Sequence, residues 1–462
     1  MLREKAGAPG FMDLCRAAGS RKVRRRMNRR TPSRRTETLA LPFLLAAFLL
    51  APPAARAQTA GTPPPEVTIE AKAEGFYRPT LRYLYPPPDS LPRPLPAALK
   101  SFDDRLRFAL GWSGYVRLVL PGDSLFVGPR EIGGSGGPAT ELRLAYLLEQ
   151  GKVRAVLHLA EPGEEPFWSG TLLFDAESAV RSADGSAEEV LRRLTGMTPP
   201  FRSRIVCVQK QPGNVKELVL VAYDGDRRWP LTRDGSIALS PSWAPDGHKI
   251  VFSSFRGGGD ADLYIADLEA RRIRKLLTRE GTDAAPAWSP DGRWIVFAGS
   301  RGARTDLYLV HPDGSGLRNL TNSPSIETSP SWSPTGRDIV FMSDRSGSPQ
   351  IYRMDEEGAN LLRLTYDGSY NADPAWSPAG DRIAYVRLEA KGFQVRIMNP
   401  LGDYDIPLTD EPGDHLEPSW SPDGMKISYG YRGRIWVMNA DGTDRRPLLA
   451  EGLMPDWSPL PE

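Results

Sequence analysis

Short apolar segments recur with a nearly constant period over the second half of the chain. Each period opens on Trp-Ser/Ala-Pro, continues to an apolar triplet such as Ile295-Val296-Phe297, and then to a segment such as Asp306-Leu307-Tyr308. A Leu-Thr pair closes the period. Four apolar segments in 44 residues predict four short strands joined by tight turns. The motif tryptophans are Trp243, Trp288, Trp332, Trp376, Trp420 and Trp457, spaced by 45, 44, 44, 44 and 37 residues.

The period predicts a ring of sheets. One four-stranded sheet cannot bury both of its faces, whereas radial stacking of several sheets buries them and leaves only short edges. The recurring tryptophan is then a wedge between neighbouring sheets. Five periods are complete, and a sixth sheet must combine three strands from residues 201–232 with the last tryptophan strand at 454–457. We therefore predict a six-bladed β-propeller over 199–462, closed by strands from its two ends.

A smaller domain is predicted before the propeller, over residues 66–198. Apolar residues at helical spacing predict helices over 97–110 and 140–149. Ser186 and Glu189 form a capping-box pattern, which predicts a third helix over 187–194. Residues 153–159 and 168–175 predict a β-hairpin. The predicted fold is therefore mainly β, with a small α+β domain preceding the propeller.

The N-terminus predicts export. A basic cluster at 21–35 is followed by an apolar run at 39–51 and by the small-residue site Ala55-Arg56-Ala57. This order is typical of a secretory signal peptide, cleaved here after Ala57. The run is too short to span a bilayer. The sequence leaves Met1 and Met27 open as start codons, and residues 58–65 form a polar, proline-rich tail.

Composition and charge narrow the classes of function. Gly and Pro number 44 each, which favours short strands and turns over long helices. Removal of residues 1–57 takes away 13 of 59 basic and 3 of 57 acidic residues, so the mature net charge changes from +2 to −8. An acidic mature chain argues against nucleic-acid binding. Of Cys15 and Cys207 only the second remains, which excludes an intramolecular disulfide and a multi-cysteine zinc site.

The combination resembles the TolB family of periplasmic propeller proteins in the Tol–Pal envelope system. The junction Leu194-Thr195-Gly196 with Phe201–Ile205 is similar to the family's domain linker, and the repeat carries the rest of the resemblance. The resemblance implies a monomeric periplasmic scaffold that binds a peptidoglycan-associated lipoprotein (Pal) at the propeller mouth. It implies a role in outer-membrane integrity and cell division, with TolA of the inner membrane contacting the mature N-terminus. The rim residues implied are Thr282, Asp283, Glu327, Thr328, Asn371 and His415.

The charge pattern independently indicates a polar mouth. Asp283, Glu327, Asp373 and Glu417 precede the motif tryptophans by three to five residues, while Arg256, Arg301, Arg345 and Arg432 follow the aromatic of the second strand by three or four. We expect an acidic inner ring and a basic outer ring, and a docking site for a partner of complementary charge. Reversal of Asp283 or Glu327 is expected to weaken binding with little loss of stability. The predicted function needs no cofactor, although an acidic ring also suits Ca²⁺ in the channel.

An enzymatic alternative stays open at this point. Peptidases that carry such propellers need a Gly-x-Ser-x-Gly elbow, and the glycine-rich stretch at 133–137 lacks that spacing. A polyuronide lyase or carbohydrate binder would use clustered histidines or the same mouth. His248, His311 and His415 fall at different phases of the repeat, which argues against a shared metal site. We therefore predict a non-enzyme, with an exported propeller enzyme or carbohydrate binder as the alternative.

Overall fold

The computed structural model describes residues 80–84, 96–120, 139–302 and 304–460. The predicted signal peptide (1–57), its cleavage site after Ala57 and the tail (58–65) lie outside the described residues. No helix in the described ranges combines the length and the apolarity needed to cross a bilayer.

The first domain is a five-stranded sheet with two helices against one face. The elements are β1 (Thr80–Leu84), α1 (Ala97–Ser113), β2 (Arg117–Val119), β3 (Thr140–Glu149), β4 (Lys152–Ala160), β5 (Trp168–Phe174) and α2 (Ala179–Thr195). The strands stand in the order β2-β1-β3-β4-β5, parallel among the first three and antiparallel from β3 to β5. Helix α1 forms because Leu99, Phe102 and Leu106 share one buried stripe, and Gly114 ends it with a φ of 75°.

Two predictions for this domain are wrong. The predicted helix over 140–149 is strand β3, which pairs with β1 and β4. Its apolar residues alternate, with Leu142 and Leu144 buried against the helices, and this period of two decides for a strand. Ser186 is not a cap, since it lies inside α2 and its hydroxyl donates to the carbonyl oxygen of Ser182. The predicted hairpin is present as β4 and β5.

The propeller contains six four-stranded sheets within the part of the chain that the structure describes. Blades 1–5 follow one another along the chain. Blade 1 is β9 (Ala238–Trp243), β10 (Lys249–Ser254), β11 (Asp262–Asp267) and β12 (Arg272–Lys275). Blade 2 is β13 (Asp283–Trp288), β14 (Ile295–Arg301), β15 (Arg304–Val310) and β16 (Arg318–Asn319). Blade 3 is β17 (Glu327–Trp332), β18 (Asp338–Ser343), β19 (Gln350–Asp355) and β20 (Leu362–Arg363).

The remaining blades complete the ring. Blade 4 is β21 (Asn371–Trp376), β22 (Ile383–Glu389), β23 (Gly392–Met398) and β24 (Asp405–Pro407). Blade 5 is β25 (His415–Trp420), β26 (Lys426–Tyr431), β27 (Arg434–Asn439) and β28 (Arg446–Leu449). Blade 6 joins the two ends of the propeller sequence: β29 (Leu453–Trp457), β6 (Arg204–Gln211), β7 (Val215–Ala222) and β8 (Arg228–Pro230).

The closure of the ring is as predicted. Strand β29 pairs with β6, and Trp457 lies opposite Ile205. The next blade is tied to the same strand, because the backbone N–H of Trp243 donates to Asp456 at 2.8 Å. The repeated tryptophans pack between blades as wedges. Trp288 of blade 2, for example, shares a core cluster with Val251 and other residues of blade 1.

The small domain packs against one end of the ring, which we call the seam face. This end carries the turn at 421–425 of blade 5 and the turn at 223–227 of blade 6. The Trp112 ring at the end of α1 lies 4.9 Å from the Tyr223 ring, 6.2 Å from the Trp457 ring and under the Lys426 ammonium at 4.7 Å. Arg105 pairs with Asp184 of α2 and with Asp224 of blade 6. The domain therefore seals the junction of the last blade with the composite one.

Candidate functional site

The opposite end of the ring is the mouth face. It carries the start of the first strand of each blade. Because the first two strands run antiparallel, the second strand ends at the same face, and the hairpin to the third strand lies there as well. All predicted rim residues belong to this end. The small domain contacts the seam face, so the mouth hairpins keep exposed side chains, among them Arg301, Arg304, Arg432 and Arg434.

The residues five positions before the tryptophan lie inside the blades. Asp283, Glu327 and Asn371 are fully buried, and His415 is 1% exposed. Each begins the first strand of its blade and faces the end of the second strand. The expectation that Asp283 and Glu327 form part of a solvent-facing acidic ring is therefore wrong.

Arginines from the mouth loops neutralise the two buried carboxylates. Arg279 pairs with Asp283, and Arg345 pairs with Glu327. Burial raises the pKa of Asp283 to about 7, although Arg279 lowers it. Burial likewise raises the pKa of Glu327 against the lowering effect of its hydrogen bonds and of Arg345. Reversing either charge would place two like charges in a buried site, so the expected small effect on stability does not hold.

Asp373 and Glu417, three positions before the tryptophan, occupy a different place. They sit at a β-bulge in the first strand with φ values of 48° and 56°. Residues at this bulge in successive blades touch, since Ser329 donates to Asp373 at 3.1 Å and the Met454 N–H donates to Glu417 at 2.7 Å. The six bulge residues thus ring the axis of the propeller. They are Ser240, Ala285, Ser329, Asp373, Glu417 and Met454, with φ between 47° and 56°.

The bulge explains why the predicted acidic ring divides into two sets. It inserts a residue into the first strand, so the residue three before the tryptophan points to the axis while the residue five before points into the blade. At the axis, burial and the neighbouring Asp373 raise the pKa of Glu417 to about 8. Burial also raises the pKa of Asp373. The inner charge of the channel is therefore lower at neutral pH than two free carboxylates would give.

Two arginines of the predicted basic ring form ion pairs within the molecule instead of facing solvent. Arg345 reaches Glu327, and Arg256 lies 3.0 Å from Asp234. Arg301 and Arg432 stay exposed on their hairpins. The sequence pattern does not identify Arg279 and Arg387. Both bind the residue that begins the first strand of a blade, and Arg387, for example, donates to Asn371 at 3.0 Å.

The two predicted threonines differ in exposure. Thr282 is half-buried at the start of blade 2, where its backbone N–H donates to the Ser300 hydroxyl oxygen at 2.9 Å. Thr328 is buried behind Glu327 and is 1% exposed. Only Thr282 can meet a partner directly without rearrangement of blade 3.

A cavity of about 500 Å³ opens at the mouth end of blade 5. His415 lies in its wall, stacked on Tyr431 with ring centroids 4.1 Å apart and planes at 7°. Trp436 meets Tyr431 edge-on at 5.5 Å. Burial lowers the pKa of His415, so its ring is neutral near pH 7. A cavity of this size with aromatic walls is typical of a binding site.

The histidines do not converge. His248 follows the turn between the first two strands of blade 1, and His311 stacks on Trp294 after the third strand of blade 2, both at the seam face. His415 is at the mouth. The described residues contain no group of three or more His, Cys, Asp or Glu placed to hold a metal ion. That the protein needs no cofactor stays a prediction, and so does the alternative of Ca²⁺ in the channel.

Comparison with known proteins decides the family. Residues 191–461 match the TolB beta propeller domain family, PD40.

The chain belongs to this family.

Curated relatives are similar in sequence to this chain over part of their length. The Tol-Pal system protein TolB of Desulfosudis oleivorans is 39% identical over 97 residues, 21% of this chain and 22% of that protein. The protein TolB homolog of Chlorobium luteolum is 33% identical over 184 residues, 37% of this chain and 41% of that protein. The matches thus span about two-fifths or less of the length of these relatives.

The similarity in fold extends over the whole TolB architecture. The crystal structure of TolB from Acinetobacter baumannii superposes with a TM-score of 0.67 at 24% identity, covering 83% of this chain and 97% of that one. This similarity supports the arrangement of a small domain followed by a six-bladed propeller.

Proposed function

We propose that the protein is a non-catalytic scaffold of the Tol–Pal envelope system that binds a peptidoglycan-associated lipoprotein at the mouth of its propeller. The observation that carries the proposal is the division of labour between the two faces. The small domain occupies the seam face, and the mouth keeps exposed basic hairpins and an open cavity. Membership of the TolB propeller family supports the same system.

The proposal includes location and assembly. We propose that the chain is exported to the periplasm by the signal peptide that ends at Ala57, and that it acts there as a monomer. The mature N-terminal segment then contacts TolA, which links the scaffold to the inner membrane. Through these two contacts the protein supports outer-membrane integrity and constriction during cell division.

The proposal does not require a catalytic site or a cofactor. Docking at the mouth needs only shape and charge, which the exposed arginines and the aromatic cavity supply. A polyuronide lyase would need ligands gathered at one place, and the separation of His248 and His311 from His415 gives no support to that alternative. Metal-dependent turnover of a polyuronide by the purified protein would contradict the proposal.

Calorimetric titration with the soluble domain of a peptidoglycan-associated lipoprotein tests the proposal. We expect saturable binding, weakened about 3- to 10-fold by Arg301→Glu at the mouth, because rim charges act through electrostatic complementarity. Arg293→Glu is the matched control, since Arg293 is an exposed arginine at the seam face of the same blade. Absence of binding, or equal weakening by both variants, would overturn the proposal.

A further inference from the structure

An arginine closes the mouth end of each of blades 1 to 4. In blades 1–3 a ring of the second strand stacks near a ring of the third, as Phe297 does with Tyr308 at 5.6 Å. A guanidinium lies over each pair at the mouth end. The arginines are Arg256 over Phe252 and Tyr264, Arg279 over Phe297 and Tyr308, Arg345 over Phe341 and Tyr352, and in blade 4 Arg387 over Tyr385.

These arginines have charged or polar partners within the molecule. Each lies on an aromatic face, a favourable place for a cation, and also meets an oxygen at the mouth. Arg279 meets Asp283, Arg345 meets Glu327, and Arg387 meets the Asn371 oxygen. The chain thus fills these four sites with its own side chains.

Blade 5 departs from this pattern. Its aromatic pair is Tyr429 opposite Trp436, and among the described residues no arginine or lysine lies over either ring. Tyr431 stacks on His415 at the position that Ser254, Gly299, Ser343 and Arg387 hold in the other blades. Arg432 lies further out, over Tyr431 at 5.0 Å. The vacated space is the cavity of about 500 Å³.

The polar atoms of this cavity are mainly donors. The Trp436 indole N–H is buried and has no hydrogen-bond acceptor among the described residues. Arg434, also in the wall, is exposed and has no ion pair within the described ranges. The acidic wall residue, Glu411, already binds Arg445 at 2.5 Å. Arg434 therefore leaves a positive charge in the cavity wall without a counter-ion among the described residues.

We propose that this cavity receives an acidic side chain from an extended segment of the partner protein. The carboxylate pairs with the Arg434 guanidinium, while its methylene groups lie against the rings of Tyr429, Tyr431 and Trp436. A cationic side chain is disfavoured, because Arg432 and Arg434 flank the opening and Glu411 is committed to Arg445. The inference rests on the proposed docking function, since it assigns the chemistry of one subsite at the same mouth.

The Trp436 indole resonance reports occupancy directly. The probe is a short acetylated and amidated glutamate-rich peptide, with its glutamine twin as control, added to the full mature chain. We expect a saturable shift of the indole ¹⁵N–¹H signal that Trp436→Phe removes, and affinity for the glutamine twin about tenfold lower, the loss of a charged hydrogen bond. An unmoved signal, or equal shifts with both peptides, would overturn the inference.

A matched pair of variants separates the cavity from general charge. Arg434→Gln should weaken the glutamate peptide about tenfold. Arg304→Gln should leave it within about twofold, because Arg304 is likewise an exposed arginine at the start of a third strand, but in blade 2, which Arg279 closes. Equal effects of the two variants would contradict a built subsite.

The lipoprotein domain distinguishes failure of this inference from failure of the proposed function. Peptide binding without lipoprotein binding would uphold the acidic subsite and reject the proposed partner. Lipoprotein binding that Arg434→Gln leaves unchanged, with an inert peptide, would uphold the function and reject the subsite.

Discussion

The two faces of the propeller use similar residue types for opposite purposes. At the seam face the aromatic and cationic side chains contact one another within the molecule. Trp112 packs on Tyr223 and Trp457, and Lys426 lies over the Trp112 ring. At the mouth of blade 5, Trp436 and Arg434 line a cavity instead. The seam face thus stabilises the ring, and the mouth remains available for a partner.

The contrast follows from how the ring closes. The pairing of β29 with β6 joins the two ends of the propeller sequence, and the Trp457 indole N–H also donates to the Ser203 hydroxyl at 2.7 Å. Packing of α1 over this junction adds buried contacts at the place where the ring closes. Substitutions at the two faces should therefore differ in how strongly they lower stability.

Trp112→Ala should give the largest loss. The ring is 2% exposed and joins the two domains, so truncation should lower the free energy of unfolding by about 3–5 kcal/mol. Denaturant titration measures the loss. Trp229→Ala, at a tryptophan that is 39% exposed, is the control and should cost far less. Equal losses would show that the seam contact adds nothing.

Glu327→Lys should come next. The substitution sets a second cation beside Arg345 at a fully buried position, and disruption of a buried pair costs about 3–5 kcal/mol, discounted here because Arg345 is 23% exposed. Glu280→Lys, an exposed reversal in the mouth loop before blade 2, should stay within about 0.5 kcal/mol. Thermal unfolding of the two variants decides. A Glu327→Lys protein as stable as the control would contradict the buried ion pair and support the expectation that Glu327 faces solvent in an acidic ring.

Glu417→Gln should change the pH dependence of stability. The folded pKa of Glu417 is about 8, above its ordinary value of 4.5, so the folded state holds a proton that the unfolded state releases. The contribution of Glu417 to the free energy of unfolding has its full value below about pH 4.5 and is lost as the pH rises towards 8. Removing the carboxyl should flatten the profile by on the order of 1–3 kcal/mol between pH 5 and pH 8.5. Parallel profiles for both proteins would contradict the raised pKa.

Arg434→Gln should affect stability least. Its side chain is exposed, so the free energy of unfolding should change by less than about 0.5 kcal/mol while partner binding falls. Denaturant titration beside the binding assay checks both halves of this expectation. A large loss of stability would show that Arg434 supports blade 5 instead of serving a ligand.

The sequence predicts the ring well because its signal is repeated. The tryptophan period and the unmatched strand at the C-terminus led to six blades and to the pairing of Trp457 with Ile205. The first domain has no repeat to average over. There the spacing of Leu142, Ala145, Tyr146 and Leu148 predicts a helix, whereas Leu142 and Leu144 are buried on one face of a strand.

The site was less predictable for a structural reason. Glu327 stands five residues before its motif tryptophan and is buried, whereas Glu417 stands three residues before its own and faces the axis. The bulge that causes this difference in direction lies at non-glycine residues in the left-handed region, such as Ser329. No glycine marks it in the sequence. The cavity in blade 5 is harder still, because no arginine of the kind that closes blades 1 to 4 lies over its aromatic pair in the described residues, and Tyr431 stacks on His415 instead.

Hydrogen exchange of the mature chain, with and without the lipoprotein domain, tests whether the mouth binds the partner while the seam face only stabilises the ring. We expect slower exchange in the mouth hairpins at 255–261, 344–349 and 431–434, with no change in the turns at 223–227 and 421–425. Protection confined to those seam-face turns would contradict this expectation.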